Sequence, residues 1–204
     1  MAGSDVKAVF ITADTQALDA DGISAAAAVG EDASLTIGGA LASGGSCTFD
    51  AGRIVTILSA GDDSGISFTV AGTDVNGDSQ TESITGANAG TATGAKYFET
   101  VTAITAVGDP AGNVSAGINA SAGDVVFEGR VRLQGLSIVC SGTAGTLSFT
   151  TSTPAGTSQM KLGSVASATV TRDVTIPDEG LLFGSGLYVQ YTVSTFGTMT
   201  VFYA

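Results

Sequence analysis

Apolar and polar residues alternate over short runs in this chain, and glycine breaks the runs every few residues. Ile66, Phe68 and Val70 alternate with Ser67 and Thr69, and Leu187, Val189, Tyr191 and Val193 alternate with Tyr188, Gln190, Thr192 and Ser194. A period of two places successive side chains on opposite faces of a strand, so each run reads as a half-buried β-strand. Twenty-nine glycines among 204 residues leave no stretch long enough for a credible helix. The chain is therefore expected to be all-β. Its 44% hydrophobic content supports a buried core, while the absence of Trp and only 6% aromatics suit closely spaced sheets better than a roomy pocket.

The strands fall into two groups. After an irregular N-terminal arm over residues 1–34, in which Val6 to Thr12 has strand character and Ala25 to Ala28 suits one helical turn, the pattern sharpens at Arg53 to Ser59. Asn76-Gly77 predicts a hairpin with a type I′ turn, returning along Ser79 to Ile84. A flexible stretch, Gly86 to Gly94, leads to a strand from Tyr97 to Val107. The small polar segment Asn119 to Gly123 reads as a linker. Beyond it, Phe127, Val131 and Leu133 face one way and Arg130, Arg132 and Gln134 the other, until parity slips at Gly135 and Leu136, Ile138 and Cys140 carry the apolar side onward. Such a slip predicts a β-bulge. The expected architecture is an arm (1–34), an acidic Ig-like β-sandwich (35–122) and a second sandwich or jelly-roll-like domain (123–204).

Function classes narrow through what the chain lacks. No residue is histidine, the commonest general base and metal ligand, so the residues argue against an enzyme and against any cofactor or metal site. Seven basic residues among 19 acids cannot replace the counterions of nucleic acid, and a net charge of −12 is repelled by an acidic membrane leaflet. The charge is uneven: residues 1–128 hold 16 acids against Lys7, Arg53 and Lys96, whereas residues 129–204 hold three acids against four bases. Cys47 and Cys140, one in each half, read as buried reduced thiols. The start, Met1-Ala2-Gly3-Ser4-Asp5, shows no basic region followed by an apolar stretch, so synthesis in a cytoplasm is expected.

Four constellations have a chemical reading. Asp63-Ser64-Gly65 looks like half of an aspartic-protease pair, but two carboxylates must share one proton, and the triplet also makes an ordinary turn. Asp74, Asn76 and Asp78 alternate like calcium ligands, yet Gly77 comes too early for an EF-hand and the twelfth position is Thr85. Gly86 to Lys96 suggests a phosphate loop but lacks the Gly-Lys-Ser/Thr triplet. Arg130, Arg132 and Gln134 share one strand face and form a candidate docking face for an acidic partner. Asp62, Asp63, Asn76 and Lys96 are candidate exposed loop residues.

Two stretches resemble known modules. Leu35-Thr36-Ile37-Gly38-Gly39-Ala40-Leu41, Arg53-Ile54-Val55-Thr56-Ile57, Ser59-Ala60-Gly61-Asp62-Asp63-Ser64-Gly65-Ile66, Gly72-Thr73-Asp74 and Gly94-Ala95-Lys96-Tyr97-Phe98 resemble a β module of tailed-bacteriophage virion proteins, especially marine ones. Gly129-Arg130-Val131-Arg132-Leu133-Gln134-Gly135, Gly184-Ser185-Gly186-Leu187-Tyr188-Val189 and the ending Val201-Phe202-Tyr203 look like a second phage structural module. The resemblance implies a virion structural protein made in the host bacterial cytoplasm: a decoration or cement protein on the capsid exterior. Its implied partners are the major capsid protein and further copies of itself, trimers suiting quasi-threefold joints. A tail, collar or fibre-base component is the runner-up. From a different class, a glycan-binding adhesin would use loops Gly61–Gly65 and Gly86–Gly94.

Overall fold

The computed structural model describes residues 5–204. The chain is all-β. Strand accounts for 63% of it, no helix occurs among the described residues, and the strands form two antiparallel sheets of five and ten, consistent with a β-sandwich. In chain order the strands are β1 (Lys7–Thr12), β2 (Asp19–Ala28), β3 (Ala42–Ser43), β4 (Ser46–Ser59) and β5 (Ser67–Thr73). Then come β6 (Ser79–Thr85), β7 (Thr91–Val107), β8 (Asn113–Phe127), β9 (Val131–Cys140) and β10 (Gly145–Thr150). The last five are β11 (Ser158–Ser164), β12 (Thr171–Thr175), β13 (Leu181–Phe183), β14 (Leu187–Thr192) and β15 (Phe196–Tyr203).

Two compact units divide the chain: Ala17–Ala120, and the described residues up to Gln16 together with Ser121–Ala204. The division falls inside β8, so the expected linker over residues 119–123 is strand. The strand expected at Val6 to Thr12 is present as β1, whereas the irregular arm expected around it over 1–34 gives way to β2 from Asp19; residues 1–4 lie outside the described residues. β1 pairs along its length with β15 and belongs to the second unit; β2, including the alanines expected to turn helically, pairs with β8. Neither pairing leaves a local mark. β1 is apolar on both faces, and the alanines of β2 are too small to show a period.

In the Ala17–Ala120 unit, neighbouring strands run β4-β7-β5-β6. Odd positions of β4 (Cys47, Phe49, Val55, Ile57) join Phe68, Val70, Phe98, Val101, Ile104, Val114 and Ile118 in one core. β2 lies so close to β8 that a Cβ on Gly117 would overlap the Asp19 carbonyl oxygen. Glycine alone fits there. The expected hairpin joins β5 to β6, but its turn is not type I′. The Gly77 N–H donates to Asp74 O (3.0 Å), the Asp74 N–H donates to Asp78 O (2.9 Å), and within the loop only Gly77 has positive φ (83°). That is a three-residue loop whose glycine forms the bulge, a geometry that Asn-Gly also satisfies. β7 begins at Thr91, so the flexible stretch expected over 86–94 shrinks to five residues.

In the other unit the five-stranded sheet runs β1-β15-β9-β12, with β13 also paired to β9. Strands β11-β10-β14 and the end of β8 form the opposing layer. Aromatic contacts join the layers: Tyr191 of β14 meets Phe196 of β15 edge-on at 4.9 Å, and Phe127 of β8 lies 5.3 Å from Tyr203. The parity slip is a bulge in β9. Gly135 pairs with Phe202 and Leu133 with Tyr203, which leaves Gln134 without an opposite residue.

Candidate interaction surface

Cross-strand partners point to the same face of a sheet. Register therefore assembles the outward face of the five-stranded sheet row by row. One row is Phe10, Thr200, Ser137 and Asp173; the next is Ala8, Phe202, Gly135 and Thr175. The inward residues of the same strands, Ile11, Met199, Val201, Leu136 and Ile138, are buried. On the outward face Phe10 is 64% exposed and Phe202 37%. A ring that open on a regular strand is unusual, because a Phe gains most of its stabilising value from burial. Where Gly135 contributes no side chain, a depression of about 510 Å³ opens between β9 and β12, reaching Ser137, Asp173, Thr175 and the edge of Phe202. The carboxylate of Asp173 accepts a hydrogen bond from Ser137 Oγ (2.7 Å).

The residues singled out from sequence are placed differently. Arg130 is exposed but precedes β9. Arg132 and Gln134 are engaged within the chain: the Arg132 guanidinium pairs with the Glu179 carboxylate at 3.2 Å and donates to Gly180 O (3.3 Å), while Gln134 Nε2 donates to Glu179 O (3.1 Å). The acidic partner of this strand face is thus the turn leading into β13, and Arg130 stands apart from the other two.

Nor are the four loop candidates alike. Asp62 is exposed; its carboxylate accepts from Ser64 Oγ (2.7 Å), the Ser64 N–H (3.2 Å) and Asn88 Nδ2 (3.1 Å). The Ser64 hydroxyl and amide hold its pKa below the usual carboxylate range. Asp63 is fully buried, and its Oδ1 accepts the Ala111 N–H at 2.7 Å. A carboxylate in that position tethers two loops and cannot meet a protease substrate. Asn76 is half-buried in the hairpin loop, where Asp74 Oδ1 accepts the N–H groups of Asn76 (2.8 Å) and Asp78 (3.0 Å). The Asp74 side chain closes this loop.

Lys96 is exposed on β7 and donates from Nζ to Thr81 O (2.8 Å). Beside it, Ile54 pairs with Tyr97 and Thr56 with Thr93, so Gly94 to Lys96 bulge opposite Val55. Glu82 satisfies the amides this frees, accepting from the N–H of Ala95 (2.6 Å) and of Lys96 (3.3 Å). The suspected phosphate loop already holds a carboxylate.

Among the described residues, no group of three or more Cys, Asp or Glu side chains is arranged to hold a metal ion. Cys47 and Cys140 are buried free thiols, and burial pushes the Cys47 thiol pKa up. A second, polar depression of about 350 Å³ lies over the opposing layer, where Lys161, Ser148 and Gln190 stand in one cross-strand row. Its one ring, Tyr191, is buried, so it offers no aromatic platform. Charge divides with the units. Ala17–Ala120 carries twelve acids against Arg53 and Lys96, a formal −10, and the remainder carries seven acids against five bases, −2.

Sequence reasoning missed the outward face of the five-stranded sheet. Its only signal was the alternation of Val6, Ala8 and Phe10, which cannot be assigned a face until the pairing of β1 is known. Compared with protein-family models, curated proteins and solved structures, the chain matches none.

Proposed function

We propose that this chain is a non-enzymatic structural protein of a tailed-phage virion, a decoration or cement protein on the outside of the head that contacts the major capsid protein and further copies of itself. The observation that carries this reading is the partition of charge. The −10 unit suits exposure to water, where like-charge repulsion keeps particles dispersed. The −2 unit, with its open phenylalanines and exposed Arg130, suits contact with protein. Sheets fixed by backbone ladders suit a protein that holds shape under load rather than one that closes on a substrate. Both phage-module resemblances point the same way.

The test is the copy number of this polypeptide in purified particles, by quantitative mass spectrometry against the major capsid protein. Stoichiometry on the scale of the shell, with copies released when the outer surface is stripped and restored on adding recombinant protein, is the expected result. A handful of copies per particle would move the chain to the tail or collar. Its absence from particles would end the virion reading.

A further inference from the structure

We propose that the outward face of the five-stranded sheet binds a second copy of the same chain, about a two-fold axis that runs along the strands between β15 and β9. Each copy's Phe10 then seats over the other's Asp173, on the rim of its depression, and each copy's Phe202 over the other's Gly135.

Register carries the geometry. Phe10 stands on β1 at one edge of the sheet, and the depression lies between β9 and β12 at the other. The depression spans two cross-strand rows: Ser137 and Asp173 stand in the row of Phe10 and Thr200, and Phe202, Gly135 and Thr175 in the next. Turning one copy about an axis parallel to the strands, midway across the sheet, lays its β1 over the other copy's β12 and its β15 over the other's β9, with each row unchanged. A knob at one flank and the rim of a hole at the opposite flank of one row are therefore brought together twice by one operation. This is the self-complementarity that an isologous interface requires.

Charge selects the occupant. A chain of net charge −12 repels its own copies over most of its surface. On this face β1 and β15 carry no charged outward residue, β9 carries Arg132, already paired with Glu179, and β12 carries Asp173, already hydrogen-bonded by Ser137. The ring of an incoming Phe10 would present its positive edge to that carboxylate. Size sets the strength. Four strands about 4.8 Å apart, each about six residues long at about 3.3 Å per residue, give a footprint of roughly 400 Å² per copy, about half that of a standard interface. The association is therefore weak and reversible in dilute solution and grows where copies are held close together.

Sedimentation equilibrium of the full-length protein over a wide concentration range tests this without any particle, so its outcome is independent of the virion reading. Expected is a monomer–dimer equilibrium that Phe10→Glu weakens about tenfold or more. Thr175→Arg, an exposed change that fills the depression, should weaken it similarly while leaving the circular dichroism unchanged; it decides the matter should Phe10→Glu disturb the fold. Photo-cross-linking from p-benzoylphenylalanine at position 10 should yield an intermolecular product within residues 134–137 or 173–175. A protein that stays monomeric up to its solubility limit, a trimer, a dimer indifferent to Thr175→Arg, or cross-links elsewhere would each overturn the proposal.

Discussion

The two units use the same secondary structure to different ends. In Ala17–Ala120 the aromatic rings turn inward: Phe49, Phe68, Tyr97 and Phe98 are buried, although Leu18 and Val107 stay open, and this is also the unit that carries most of the acids. In the other unit the inward faces are packed as well, around Leu133, Phe149, Phe183 and Phe196, yet Phe10 and Phe202 remain open on a sheet face whose charged residues, Arg132 and Asp173, are engaged within the chain. An acidic surface over a closed core favours remaining separate in water. A neutral surface with unburied rings gains free energy only by being covered. The difference lies in which side of a strand the apolar residues occupy, and hydrophobic content alone does not report it.

Phenylalanine truncation breaks this comparison most sharply. Phe98→Ala, at 0% exposure within the acidic unit's core, should cost about 4 kcal/mol, the transfer term plus that of the cavity left behind. Phe10→Ala, at 64% exposure, should stay within about 0.5 kcal/mol for the monomer. Urea unfolding at low protein concentration, with midpoints read separately for each variant, checks both. Equal costs would mean that Phe10 is covered within a single chain and that the contrast between the units is false.

A smaller effect probes how the near-neutral unit holds its N-terminal strand. The Tyr191 hydroxyl donates to Asp124 Oδ2 (2.8 Å) and accepts the Asp14 N–H (3.2 Å), tying the chain after β1 to β14 and β8. Tyr191→Phe removes both bonds and should cost about 1–2 kcal/mol. Burial, then the neighbouring Asp124 carboxylate, pushes the Tyr191 pKa well above the usual tyrosine value. When a folded-state pKa is raised, the unfolded chain loses its proton first, so stability is full below about pH 10 and falls as pH rises beyond it. The wild type should show this alkaline decline, and Tyr191→Phe should flatten the part due to this unit. Burial of Cys47 raises its thiol pKa and adds a decline of the same sign in the other unit. Thermal melts of the two proteins from pH 8 to about pH 11 separate the contributions, and parallel curves would remove Tyr191 from the account.

What was legible in the sequence was local. The bulge in β9 showed because Leu133 and Leu136 occupy positions of opposite parity around Gly135, a pattern that only an extra residue reconciles. The β5–β6 hairpin showed because Asn76-Gly77 sits between alternating runs, although the dipeptide suits two turn geometries and did not choose between them. Long-range pairing was illegible. Lys7 meets Tyr203, almost the whole chain away, and no local pattern records that. Asp63 read as a solvent loop residue because its neighbours are Asp62, Ser64 and Gly65; its burial follows from Ala111, 48 residues on, whose amide it accepts. Arg132 read as free to bind because Glu179 is as distant. The candidate surface was hidden for the same reason, since it exists only once β1 lies beside β15.

The smallest expected effect concerns that arginine. Arg132 and Glu179 meet at 3.2 Å with side-chain exposures of 31% and 83%, so solvent screens most of their attraction. Glu179→Gln should therefore change stability by no more than about 0.5 kcal/mol, with the Gln134 contact to the Glu179 carbonyl kept because it uses backbone. What should change is the guanidinium. Released from its carboxylate, Arg132 becomes available to an outside acid. Titration with a short oligoglutamate, followed by the Arg132 side-chain NMR signals, should give little response in the wild type and a saturable one in Glu179→Gln, suppressed by raising the salt. An equal response in both proteins would show that the turn does not occupy Arg132 in solution. The near-neutral unit would then present two free arginines for docking, and its contrast with the acidic unit would rest on charge as much as on the open phenylalanines.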